Sequence, residues 1–415
     1  MATRSTPQNQ GNSQSYLVPF IIVTALFGIF GFLTNLNSNL SKELEDIFNL
    51  NHAWSNLVTS AWFFAYLVFS VPSSKLIERV GYKRTMIISL FIMVAGALLF
   101  IPAAAMVSFP VFLTASFVLA TGVCALQTSA NPYVSILGPE DSAPARLTLA
   151  QAFNSLGSAL APLVVATFIL TNTAGASKAV VAHTVQGPYI AIAGTLFVLG
   201  FAVMFMHLPA IAAPTMAFRP ATHGDALLDR SIWSYKHTVL GMIGIFFYVG
   251  VEIALAANAI QFFATQGVDD KTTAGWLAFG YMMFIMLGRF AGTVVMKYVR
   301  ANVLLVGLGI FGVLLLAIAM FTTGQVAIWS LVLCGLANSI MYPTIFALGI
   351  AELGPMTSKG SGVITIGNVG GAIIPPLFGY LAVKMGGYQY AFVLPMICYV
   401  YVAFYGFSGY KPSKH

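Results

Sequence analysis

The chain has very little charge. Asp, Glu, Lys and Arg make up 7% of its 415 residues, whereas a soluble domain carries about 25%. A water-facing surface cannot be built from so few ionic groups. Cysteine is also scarce: Cys124, Cys334 and Cys398 all sit inside apolar runs, with no spacing that suggests a disulfide framework or metal ligands, so they read as packing. The six histidines (52, 183, 207, 223, 237 and 415) fall at segment ends, in loops or at the terminus. No metal or catalytic cluster is expected at depth, and therefore no cofactor and no intramembrane enzyme. The polar start lacks the basic region and small-residue cleavage site of a signal peptide, so residues 1–15 read as a retained disordered tail.

What the chain does have is apolar sequence, 58% of it, with a mean hydropathy of +0.86. Runs of about twenty apolar residues read as membrane-spanning helices. Twelve are expected, near 16–40, 53–78, 84–105, 110–137, 147–171, 187–208, 234–264, 273–296, 301–322, 325–351, 361–384 and 388–408. The longest polar interruption, 210–233, divides them six and six. The expected organisation is an all-α membrane protein of two six-helix bundles, 16–209 and 234–408, with a cytoplasmic linker at 210–233 and a short tail at 409–415. Of the 19 Lys and Arg, fourteen lie in loops on the side of the N-terminus, four lie opposite, and Arg289 falls within a span. The positive-inside rule then puts both termini in the cytoplasm of a multi-pass plasma (inner) membrane protein. Because the basic residues are dispersed in short loops, the net charge of +7 points to membrane topology rather than nucleic acid.

The two halves echo each other. Asn154, Gly157 and Pro162 in the fifth span recur with the same spacing as Asn368, Gly371 and Pro376 in the eleventh. More loosely, Asn131-Pro132-Tyr133 with Leu137-Gly138 matches Tyr342-Pro343-Thr344 with Leu348-Gly349. A repeat of half the chain with six helices each resembles the plan of major facilitator transporters. The loop after the second span, Ser74 to Arg84, resembles that superfamily's cytoplasmic G-x-x-x-D-R-x-G-R-R signature, with Ser74 and Glu78 in place of its Gly and Asp. An acid and a basic cluster at a helix end can latch a neighbouring helix, which makes Glu78, Arg79, Lys83 and Arg84 the candidate conformational latch.

Polar residues in the spans fall one helical turn apart. Asn35 and Ser38 lie in span one, Gln127 and Asn131 in span four, and Gln151 and Asn154 in span five. Glu252 and Asn258 lie in span seven, Arg289 in span eight, Tyr342 in span ten and Asn368 in span eleven. Two readings compete. Amides and hydroxyls can join helices to one another, or they can line a central cavity, where side-chain amides offer the donors and acceptors an uncharged polyol needs. Glu252 and Arg289 are the charged residues well inside the apolar runs. Charge at bilayer depth is costly and usually faces a cavity or a partner.

The segments C-A-L-Q-T-S-A-N-P-Y-V-S-I-L-G-P (124–139), R-L-T-L-A-Q-A-F-N-S-L-G (146–157), Y-V-G-V-E (248–252), G-R-F-A-G-T (288–293) and Y-P-T-I-F-A-L-G-I (342–350) resemble the fucose–galactose–glucose:proton symporter family, a sugar branch of the major facilitator superfamily, and its glucose/galactose members in particular. The resemblance covers about residues 18–408. It implies a monomeric carrier of a monosaccharide of the glucose, galactose, mannose or fucose class, working by alternating access. It also implies substrate contacts from Asn35, Gln151, Asn154, Arg289 and Tyr342. Fucose-transporting members tie proton coupling to two acids; the matching positions here are Ser38 and Gln127, neither of which titrates. A coupling cation, proton or sodium, would leave Glu252 as the coupling candidate, either titrating or paired with Arg289. The alternative is a proton-driven exporter of drugs or metabolites with the same fold, against which the many amides argue.

Overall fold

In lipid a backbone must satisfy its own polar groups, which favours helices for a chain of this composition. A computed structural model describes residues 17–47, 52–165, 178–206, 208 and 231–412. The tail 1–15 and nearly all of the linker 210–233 lie outside the described residues. Among the described residues the structure is helical, with no strand.

The first half contains α1 (Leu17–Ile47), α2 (His52–Ala105), α3 (Phe109–Ile136), α4 (Ala143–Val165) and α5 (Lys178–Phe205). The second half contains α6 (Lys236–Thr265), α7 (Asp270–Gly275), α8 (Met282–Val295), α9 (Ala301–Phe321), α10 (Gln325–Asn338), α11 (Met341–Gly349), α12 (Thr357–Ile366), α13 (Gly370–Lys384), α14 (Tyr388–Ala391) and α15 (Val393–Phe404). A π-helical turn, Trp276–Tyr281, joins α7 to α8. Nine stretches of the described residues are long and apolar enough to cross a bilayer, and one of them, Val58–Ala105, has 48 residues. At 1.5 Å per residue it is about 72 Å long, more than twice the hydrocarbon core, and so corresponds to two of the expected spans. Gly81 divides it with φ +83° and ψ 168°, a conformation that L side chains rarely adopt. The break falls within the Glu78–Arg84 loop.

The repeat seen in the sequence has a packing counterpart. In the first half α1 lies along α4; in the second, α6 lies along α13. Gly157 of α4 sits against the Gly28 carbonyl of α1, and Gly370 of α13 against the Phe246 carbonyl of α6. A side chain at either position would run into backbone, so these small residues set the approach of each helix pair. Elsewhere α2 packs on α3 and α5, and α9 on α10 and α15. The two halves meet where α4 touches α8 and α11, and where α12 touches α2 and α3. The outward faces are apolar, with Phe205, Val198, Phe321 and Val383 all exposed, as a lipid-facing surface requires.

Candidate functional site

Two prolines prepare the centre of the molecule. Pro132 interrupts α3, and Pro343 stands in the first turn of α11, just past the break at Ser339 and Ile340. Proline has no N–H, so the carbonyl four residues earlier loses its helical donor. Those carbonyls belong to Thr128 and Ser339, and both accept side-chain donors instead. Ser361 of α12 donates to the Thr128 carbonyl at 2.6 Å, across the two halves. Arg289 of α8 donates from Nε to the Ser339 carbonyl at 3.1 Å.

Arg289 also reaches the first half. Its Nη1 donates to the Gln151 carbonyl at 3.1 Å and to the Ser155 hydroxyl, both on α4. The arginine is 8% exposed, so these bonds satisfy a largely desolvated cation. The cluster continues through amides. Gln151 Nε2 donates to Asn131 Oδ1 at 3.4 Å, and Asn131 Nδ2 donates to the Tyr342 hydroxyl at 3.4 Å, again across the halves. Asn368 lies beside the same hydroxyl, and its own Nδ2 donates to the Thr365 carbonyl at 2.9 Å. The ring of Tyr342 faces Phe346 and Tyr248. Amides, a guanidinium and aromatic faces thus converge between α3, α4, α6, α8 and α11.

Glu252 is half-buried on α6, one turn beyond Tyr248, and both lie within electrostatic reach of Arg289. No salt bridge joins Glu252 to Arg289 among the described residues, because the guanidinium is directed at backbone and at Ser155. Gln127 is half-buried on α3, one turn from Asn131, and its Oε1 accepts from the Tyr66 hydroxyl at 3.3 Å. Asn35 is half-buried on α1. Ser38 also belongs to α1, but its side chain lies outside the described ones.

Other predicted residues bond to backbone carbonyls. Asn154 donates to the Phe27 carbonyl at 3.1 Å, pinning α4 to α1. Asn258 donates to the Ala254 carbonyl of its own helix at 2.9 Å. Tyr281 and Asn338, on neighbouring helical segments, are fully buried: Asn338 donates to Tyr281 Oη at 2.7 Å and accepts from Tyr399 at 2.8 Å.

The predicted latch residues separate. Glu78 accepts from Ser358 of the second half at 3.5 Å, the long limit of a hydrogen bond. Lys83 instead donates to the carbonyls of Met204 and Met206, at 2.8 and 2.7 Å, capping the end of α5 within its own half. Arg79 and Arg84 are exposed. Arg146, read from the sequence as a loop charge, clasps the end of α3 through the carbonyls of Val134, Ser135 and Pro139. Ser361, Ser155, Ser339 and Tyr66 were not singled out as site residues. The signal that could have found the first and third is the pair of prolines at matching places in the repeat.

Hydrogen bonds thus join the halves from Asn131–Tyr342 down to Glu78–Ser358, on the side where the basic loops lie. The sequence pattern of the Major Facilitator Superfamily matches residues 20–368. A glucose/galactose transporter of Brucella abortus is 39% identical over 403 residues, 96% of each chain. The L-fucose-proton symporter of Escherichia coli is 30% identical over 96% of this chain and 94% of that one. A crystal structure of the transporter FucP in the outward conformation superposes with a TM-score of 0.87 at 30% identity, covering 97% of this chain and 100% of that one. The chain belongs to the major facilitator superfamily, in the branch that holds these sugar transporters.

Proposed function

We propose that the chain carries a monosaccharide of the glucose/galactose class across the plasma (inner) membrane by alternating access, as a monomer with twelve crossings and both termini in the cytoplasm. Residues 16–209 and 234–408 act as the two rocking units, joined by the linker 210–233. The observation that carries the reading is the cluster Gln151–Asn131–Tyr342 with Arg289. It supplies neutral donors and acceptors and an aromatic face at the seam of the two units, as an uncharged sugar requires. The closed seam on the basic side corresponds to a carrier open outward. Sugar bound beside Asn131, Gln151 and Tyr342 would exchange its hydroxyls for their present long hydrogen bonds and let the seam rearrange.

Coupling to a proton or sodium, where it operates, falls to Glu252. Ser38 and Gln127 cannot titrate, whereas Glu252 lies within reach of Arg289 and is not bound to it in this conformation. Counterflow of labelled glucose and galactose in proteoliposomes tests the reading: exchange is expected, and its absence for every monosaccharide of the class overturns it. Accumulation against a gradient that survives Glu252→Gln removes Glu252 from the coupling role.

A further inference from the structure

The turn between α11 and α12 is strained. Glu352 has φ +56° and Gly354 has φ +50°. A left-handed glutamate is uncommon and persists only where its surroundings hold it. The hold comes from the first residues of α6, on the basic side. His237 Nε2 donates to the Ala351 carbonyl at 3.0 Å, and Thr238 Oγ1 donates to the Gly349 carbonyl at 2.8 Å. Just before α6, the Ile232 side chain joins that of Leu353 against Gly360 of α12. Beyond the turn, α12 carries Ser358 and Ser361, which bond Glu78 and the Thr128 carbonyl of the first half. Ser361 lies four residues, about 6 Å, past the start of α12. The turn that His237 pins therefore sets where the donors of the seam stand.

His237 is 1% exposed. A carbonyl can only accept, so the ring proton sits on Nε2 and the neutral ring leaves Nδ1 as a bare acceptor. Nδ1 has no partner among the described residues. A second proton there would bury both a charge and an N–H with nothing to accept it. The neighbours offer no relief. Tyr235 lies edge-on to the ring at 6.3 Å between centroids, and the Tyr405 hydroxyl is spent on the His237 carbonyl at 3.2 Å. Lys236 adds positive charge beside it. Glu352 is the carboxylate within electrostatic reach, but it is exposed, and water weakens its attraction. We infer that His237 is a proton-sensitive latch on the seam. Neutral, it holds the turn 350–356 and keeps α12 against the first half. Doubly protonated, it leaves its buried place, the turn relaxes, and α12 withdraws Ser358 and Ser361. The bond to Ala351 thus supports the closed seam fully at high pH and is lost as pH falls, so acid on the basic side favours opening. The latch rests on the alternating-access reading above and is separate from Glu252.

The test reads spin-label distances between cysteines placed at Lys75 and Lys297, without sugar, from about pH 8 to pH 5, the range in which imidazole titrates. Glu252→Gln is used throughout, so that Glu252 contributes no titration. The closed-to-open ratio is expected to fall at least about fivefold across the series. His237→Gln keeps an N–H donor for Ala351 and cannot titrate, so its ratio should stay closed and change by less than about twofold. His237→Ala, which removes the donor, should show the acid ratio at every pH. A flat series with His237 in place overturns the latch and needs no variant at this position. An unchanged slope in His237→Gln also overturns it and assigns the titration to another group, Glu78 or Glu352. Sugar exchange is not part of this readout, so a failure of counterflow would count against the carrier reading alone.

Discussion

The bond between Ser361 and the Thr128 carbonyl should be worth far more to one conformation than to the other. It links α12 to α3 across the seam, so separation of the halves on the basic side breaks it. Within α3 the carbonyl has lost its usual donor, because Pro132 stands four residues on. Both partners are 0% exposed with the seam closed. Ser361→Ala then leaves a buried carbonyl without that bond in the closed state only, whereas water can reach it once the seam opens. A buried acceptor deprived of its partner costs about 1–3 kcal/mol, which shifts the closed-to-open ratio roughly 5- to 150-fold toward open. The proline supplies the control. Pro132→Ala restores an N–H aimed at the same carbonyl, so Ser361→Ala in that background should shift the ratio by less than about threefold, a double-mutant coupling of at least about 0.4 kcal/mol. The ratio can be read from spin-label distances between cysteines placed at Lys75 and Lys297, both exposed on the basic side and in opposite halves. Cys124, Cys334 and Cys398 are buried and need not be removed. Equal shifts from Ser361→Ala with and without Pro132 would refute the orphaned-carbonyl argument.

Two further predictions concern stability rather than the seam. Gly157→Ala sets a methyl group against the Gly28 carbonyl and should cost about 1–3 kcal/mol, seen as a lower unfolding temperature in detergent. Gly187→Ala, where nothing lies within 4 Å, should be neutral. Asn338→Leu strips both Tyr281 and Tyr399 of a buried partner and should destabilise by about 2–5 kcal/mol. It should leave the KM for sugar within twofold, and a larger KM change would move Asn338 from scaffold to site.

How much was legible follows from what a helix encodes. Apolar run length made the helical class legible, because lipid leaves no alternative to helices, and the repeat has a counterpart in the like packing of α1–α4 and α6–α13. Helical spacing also revealed which residues share a face. It could not reveal which neighbour that face meets. Asn131 and Asn154 carry the same side chain, each inside a helix of the first half. The first bridges Gln151 and Tyr342 at the seam, while the second is held by the Phe27 carbonyl. The difference depends on α1 approaching α4 at Gly31 and Gly157, a tertiary fact. Arg289 shows the same limit. Its acceptors Gln151 and Ser155 lie 138 and 134 residues away, and the Glu252 near it in sequence is not its hydrogen-bonding partner. The prolines were the one local signal with long-range consequence. An X-Pro inside a span marks a carbonyl that must look elsewhere for a donor.

The loop from Glu78 to Arg84 divides by the same logic, and the division can be tested. The sequence presents its charges as one cluster, yet Glu78 faces the other half and Lys83 faces α5 of its own. An acceptor at 3.5 Å from Ser358 contributes weakly, about 0.5–1.5 kcal/mol for an ordinary hydrogen bond, so Glu78→Gln should shift the Lys75–Lys297 distance distribution toward open by no more than about tenfold. Lys83 makes two short charge-assisted bonds to the carbonyls that end α5, at 2.8 and 2.7 Å. These persist in either conformation because both partners move with the first half. Lys83→Met should therefore lower the unfolding temperature, at a cost of about 1.5–3 kcal/mol, and leave the distance distribution where it was. If Lys83→Met opens the seam as strongly as Glu78→Gln, the loop acts as a single latch, and capping α5 is incidental to it.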